Sequence, residues 1–118
     1  MKRVIVVEDH SVFAQALEFV LGKENGTEVV LARTVEDGRA LIRGDAPLDL
    51  AILDLMLPDG DGADLVDEVR RHHPKTPVAI LSARDDVAQV ASEAGADVAI
   101  HKATPLPSII SSIERLTR

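Results

Sequence analysis

Short apolar runs of strand length alternate along the chain with longer stretches in which apolar residues recur every three or four positions, the spacings of strand and helix respectively. The runs KRVIVV (2–7), EVVLA (28–32), DLAILD (49–54), PVAILS (77–82) and DVAIH (97–101) predict strands. The first, third and fourth are apolar on both faces, as central parallel strands covered by helices must be. A helical pattern follows each run. In the first helix Val12, Phe13, Ala16, Leu17, Val20 and Leu21 form one stripe, and Gly22 is expected to end it in the left-handed conformation. Thr34, with Asp37 three residues on, marks the start of the second, and Gly44 its end. The third carries Leu65, Val66 and Val69 on its stripe and gathers Arg70, Arg71, His72 and His73 before Pro74, at the end where the helix dipole favours cations. The fourth is predicted from about Asp85 to Ala94 with Gly95 as its stop. In the fifth, Thr104 is the expected cap, Pro105 the first helical residue, and Leu106, Ile109, Ile110, Ile113 and Leu116 the stripe.

Regular alternation with short connections implies right-handed crossovers and an α/β fold built on a doubly wound parallel sheet, here as one domain over residues 1–118. Such sheets gather functional groups at the C-terminal ends of their strands. Glu8 and Asp9 stand after VIVV, Asp54 after LAIL, Ser82 after VAIL, and Lys102 after VAIH. Asp54 interrupts an apolar run from Leu50 to Leu57, and a carboxylate buried there must either take up a proton or find cationic company. A small hard cation with oxygen ligands, such as Mg2+, relieves the repulsion of clustered carboxylates at least cost. The ammonium of Lys102 and the hydroxyl of Ser82 converge on the same edge, an arrangement suited to a phosphoryl group, for which a carboxylate is a competent acceptor.

Composition narrows the classes further. The chain has 118 residues, 46% of them apolar, which argues against disorder, and its apolar stretches fall well short of the roughly 20 residues that span a bilayer. Lys2 and Arg3 are followed by only a short apolar run before Glu8 and Asp9, so no signal peptide is read and the cytoplasm is the expected location. A net charge of -7 disfavours direct binding to nucleic acid or an anionic membrane, and the absence of cysteine excludes thiolate metal sites.

The segments VIVVEDH, LAILDLMLPDGDG, AILSA and GADVAIHKATPLP, in that order across essentially the whole chain, resemble the receiver domain of two-component response regulators. The resemblance implies a five-stranded (βα)5 flavodoxin-like sheet in the order 2-1-3-4-5, with Asp54 accepting a phosphoryl group from a histidine kinase or phosphotransfer protein. It implies Mg2+ held by Glu8, Asp9, Asp54 and the Met56 carbonyl, Ser82 and Lys102 on the phosphoryl oxygens, an output partner on the surface of the fourth helix, fifth strand and fifth helix, and a capacity to form a homodimer. The receiver would then catalyse its own phosphorylation and dephosphorylation without being an enzyme on external substrates. HKATPLPSII is similar to receivers that precede a LuxR-type helix-turn-helix, which implies transcriptional control in a longer parent chain. Two positions depart from the family pattern: Ala99 replaces the aromatic residue whose rotamer reports phosphorylation, and Ala103 replaces the proline after the lysine. These departures favour the alternative of an interaction module that no longer uses phosphate, whereas the intact acidic edge opposes it. A phosphohydrolase would need a second aspartate at Met56. The adjacent His72 and His73 point about 100° apart on a helix, so they form no ligand pair. His10 borders the acidic edge and His101 ends a strand, each without a second ligand at useful spacing. Asp59 and Asp61 are read as turn residues, with Gly60 and Gly62 freeing the loop.

Overall fold

The computed structural model describes residues 2–24 and 26–117, so Met1, Asn25 and Arg118 of the predicted domain lie outside the described residues. The apolar runs form strands β1 (Lys2–Val7), β2 (Thr27–Ala32), β3 (Leu50–Leu53), β6 (Val78–Ser82) and β7 (Val98–His101), which pair in parallel in the order β2-β1-β3-β6-β7. A two-residue hairpin, β4 (Met56–Leu57) with β5 (Gly60–Asp61), pairs antiparallel outside this sheet. Leaving it aside, the order is the expected 2-1-3-4-5. The helices are α1 (Ser11–Gly22), α2 (Val35–Arg43), α3 (Asp64–His72), α4 (Val87–Ala94) and α5 (Leu106–Leu116).

Alternation along each strand divides the core into two layers. Ile5, Val7, Ala51, Leu53, Val78 and Ile80 pack with Val35, Ile42, Leu65, Val69, Val87 and Ala91 from α2, α3 and α4. Val4, Val6, Leu50, Ile52, Ala79 and Leu81 pack with Leu17, Leu21, Ile109 and Ile113 from α1 and α5. Burial of both faces explains why the central strands read as continuous apolar runs. Gly38 lets α2 come close: a Cβ there would meet Val7 Cγ2 at 2.9 Å and Leu65 Cδ1 at 3.0 Å. No helix among the described residues is long and apolar enough to cross a membrane.

Several element ends differ from the sequence expectations. Gly22 is the last residue of α1 and is followed by a right-handed Lys23; the left-handed glycine is Gly26, φ 80°, which follows the turn and hands the chain to β2. The buried stripe of α1 is Ala14, Leu17 and Leu21, leaving Val12 73% exposed on the opposite side. α4 begins at Val87 rather than Asp85, because residues 84–87 form a turn closed by the Val87 N–H donating to the Arg84 carbonyl. Gly95 does end it in the left-handed conformation, at φ 84°. Thr104 is not the cap of α5: Pro105 holds that place, its carbonyl accepting from the N–H groups of Ser108 and Ile109. Leu106, expected on the buried stripe, is 38% exposed, one turn ahead of the point where α5 meets the sheet. Thr34 caps α2 as expected, its hydroxyl accepting from Asp37 N–H at 3.0 Å.

Candidate functional site

The C-terminal ends of β1, β3, β6 and β7 converge on one cleft of ≈ 630 Å³, lined by Asp9, His10, Phe13, Asp54, Met56 and Lys102 among others. Parallel pairing sets the positions of the acids: the Asp54 N–H donates to Val7 O at 3.0 Å and the Glu8 N–H to Ala32 O at 2.9 Å, so each carboxylate emerges where the ladder runs out. Glu8 and Asp54 are buried and Asp9 is exposed, and one carboxylate oxygen from each lies within 4.8 Å of the others. Lys102 crosses from the end of β7 to meet them. Its Nζ donates to Glu8 Oε1 at 2.7 Å and to Asp54 Oδ2 at 2.8 Å. The other Asp54 oxygen, Oδ1, accepts from the Met56 N–H at 3.2 Å. Asp54 thus has the cationic company that its place in an apolar run required.

Burial pushes the Glu8 carboxyl up to about 7, and the facing charge of Asp54 adds to this, against the hydrogen bond from Lys102 that pulls the other way. Burial alone would lower the Lys102 ammonium, but its hydrogen bonds to Asp54 and Glu8 outweigh that and hold it above its ordinary value. The two directions agree physically: the pocket carries more negative charge than one ammonium neutralises, so the lysine stays protonated and Glu8 is the acid that resists ionising. Glu8 Oε1 accepts from both Lys102 and the His10 N–H, whereas Oε2 is buried with no hydrogen-bond partner. An orphaned carboxylate oxygen beside two further acids, with oxygen donors throughout, fits a hard divalent cation.

Ser82 ends β6 and is fully buried, with its Oγ accepting from the Arg84 N–H at 3.3 Å. Its carbonyl accepts from the Lys102 N–H at 2.9 Å, which ties the two strand ends together. After Lys102 the chain continues through trans peptides, since no cis bond occurs among the described residues, and the Ala103 N–H donates to His101 Nδ1 at 2.9 Å. The lysine therefore reaches the acids without the proline that the family pattern places next.

The loop after Asp54 carries features that the sequence did not disclose. Gly62 passes so close to the Asp54 carbonyl that a Cβ would fall 1.6 Å from its oxygen, while the Gly62 N–H donates to Leu55 O at 3.0 Å. Asp59 does more than shape its turn: it accepts from the N–H groups of Val35 at 2.7 Å and Glu36 at 3.1 Å, capping α2 from across the chain. Those backbone hydrogen bonds hold its carboxyl below the usual range. Phe13 is a further resident of the cleft, its ring centroid 5.1 Å from Lys102 Nζ. Its place in the apolar stripe of α1 was legible, but its proximity to a lysine near the far end of the chain was not.

The family model of the response regulator receiver domain matches residues 4–114. Response regulator protein PilR of Pseudomonas aeruginosa is 37% identical over 97 residues, which make up 80% of this chain and 21% of PilR. Transcriptional regulatory protein PmrA of Pectobacterium parmentieri is 36% identical over 118 residues, 98% of this chain and 52% of PmrA. The chain thus spans about half or less of the length of these curated relatives. Among solved structures, response regulator protein TrrA of Thermotoga maritima in complex with Mg2+ and BeF aligns with a TM-score of 0.82 at 26% identity, covering 98% of this chain and 99% of that one.

Proposed function

The chain belongs to the response regulator receiver domain family, and on that premise we propose that Asp54 takes a phosphoryl group from the phosphohistidine of a histidine kinase or phosphotransfer protein in the cytoplasm. A carboxylate oxygen of Asp54 forms the new P–O bond as the P–N bond to histidine breaks, and the histidine nitrogen keeps the bonding electron pair. Lys102, already 2.8 Å from Asp54 Oδ2, offers its charge to the phosphoryl oxygens. The Ser82 hydroxyl accepts from Arg84 and keeps its own proton to donate to one of those oxygens. Glu8, Asp9, Asp54 and the Met56 carbonyl would hold Mg2+, which when bound supplies the positive charge that offsets the acids and the incoming phosphate. The same groups would carry the later hydrolysis of the acyl phosphate.

Phosphorylation adds nearly two negative charges and three acceptor oxygens. Drawing Ser82 toward them shifts the loop between β6 and α4 and with it the α4, β7 and α5 surface, where an output domain or a second receiver would bind. Ala99 on β7 rules out an aromatic rotamer as the reporter. The observation that carries this reading is the meeting of three carboxylates within 4.8 Å under a lysine bonded to two of them. Beryllofluoride with Mg2+ tests it. Backbone amide signals of residues 82–87 and of β7 should shift in the parent and stay still in Asp54→Ala; a parent that gives no response overturns the reading.

A further inference from the structure

We infer that Phe13 is a positioning residue for Lys102, holding the ammonium over the acceptor by the face of its ring; this rests on the reading of Asp54 as the phosphoryl acceptor. Lysine carries its charge on a flexible four-carbon stem, so something must aim it. In this chain the backbone after Lys102 supplies no proline, only a trans Ala103 whose N–H is tied to His101. Among the described residues the ammonium lies against Glu8 Oε1 at 2.7 Å, Asp54 Oδ2 at 2.8 Å and the Phe13 ring at 5.1 Å. That separation lies within the roughly 6 Å at which a ring face attracts a cation, and the attraction strengthens away from water. Lys102 is well placed for this, its side chain being only 18% exposed.

The three neighbours differ in what the reaction does to them. Asp54 becomes an acyl phosphate and its carboxylate loses its charge, and Glu8 is the acid whose second oxygen is buried with no hydrogen-bond partner. The Asp54 carboxylate therefore changes its relation to the lysine during phosphoryl transfer, whereas the ring takes no part in the reaction. Phe13 is anchored independently, packing from α1 against the core cluster that contains Leu17 and Ile109. With two phenylalanines and no tyrosine or tryptophan in the chain, this contact uses one of very few rings available.

Phe13→Leu keeps the apolar packing and removes the ring face, and Phe13→Tyr keeps both. Phosphoryl uptake from acetyl phosphate with Mg2+ should slow about three- to tenfold in the Leu variant and return to near the parent rate in the Tyr variant, with Mg2+ affinity by calorimetry the same in all three. A purely structural role for Phe13 would instead move Mg2+ affinity or the unfolding midpoint together with the rate. A second readout needs no phosphate: the ε-methylene protons of Lys102 should lie upfield under the ring in the parent and in Phe13→Tyr, and move to the ordinary lysine position in Phe13→Leu. Uptake at parent rate in Phe13→Leu, or Lys102 signals that do not respond to the substitution, overturns the inference. A parent that takes up no phosphoryl group at all overturns the acceptor reading instead, and the Lys102 signals then decide the placement of the ring alone.

Discussion

At the scale of single residues, folding raises the Glu8 carboxyl from an ordinary 4.5 up to about 7, chiefly through burial. The folded protein thus keeps a proton there that the unfolded chain gives up, so between pH 4.5 and about 7 stability falls as pH rises, by about 3 kcal/mol in the absence of a divalent cation. Glu68 and Asp59 act in the opposite sense, because their carboxyls are held below the usual range and their contribution is lost only as pH drops through those lower values. Urea unfolding at pH 5 and pH 8 isolates the Glu8 contribution: Glu8→Gln should remove most of the loss seen in the parent, and an equal loss in both would contradict this account. Mg2+ added at pH 8 should raise the parent midpoint, because a cation held at the proposed acidic site only in the folded state stabilises that state. Steric demand is as local as charge. A Cβ at residue 62 would overlap the Asp54 carbonyl oxygen, so Gly62→Ala should cost about 2–3 kcal/mol or more and slow phosphoryl uptake by moving the acceptor backbone, both checked on the purified variant.

At the scale of elements, α2 and α3 are joined through Glu68, a buried carboxylate that accepts from Arg43 Nη2 at 2.7 Å, Arg43 Nε at 3.0 Å and Arg39 Nε at 3.2 Å. Glu68→Ala should cost about 2–3 kcal/mol by urea unfolding while leaving Mg2+ affinity unchanged, because the pairing lies outside the acidic cleft. Neither this node nor the Asp59 cap on α2 was legible in the sequence, since both join residues 23 or more positions apart that share no motif. What could be read were features carried by local periodicity. The parallel strands announced themselves as apolar runs, and their ends placed Glu8, Asp9, Asp54, Ser82 and Lys102 at one edge before any contact was known. Where two local signals compete, the sequence alone does not choose between them. α1 is apolar around much of its circumference, so the expected stripe included Val12 and left out Ala14, whereas packing against the sheet buries Ala14 and leaves Val12 exposed. Thr104 looked like a cap by residue type, but the extended Pro105 takes that place. The β4–β5 hairpin is two residues to a strand, too short for any period to show.

At the scale of the molecule, the parallel sheet brings Glu8, Asp9, Asp54 and Lys102 from distant parts of the chain to one cleft, and the chain leaves that cleft at Ser82 through a short loop into α4. Moving such a receiver from mostly inactive to mostly active, 1:99 to 99:1, takes about 5.5 kcal/mol of preference for one state, within reach of several charge-assisted contacts to a phosphoryl group. Switching by this route requires that Asp54 become an acyl phosphate. Incubation with acetyl phosphate and Mg2+, followed by intact mass and peptide mapping, should show a single added phosphoryl group on the peptide containing Asp54, absent in Asp54→Asn and absent when the cation is removed by chelation. No addition to the parent, or the same addition in Asp54→Asn, would contradict it.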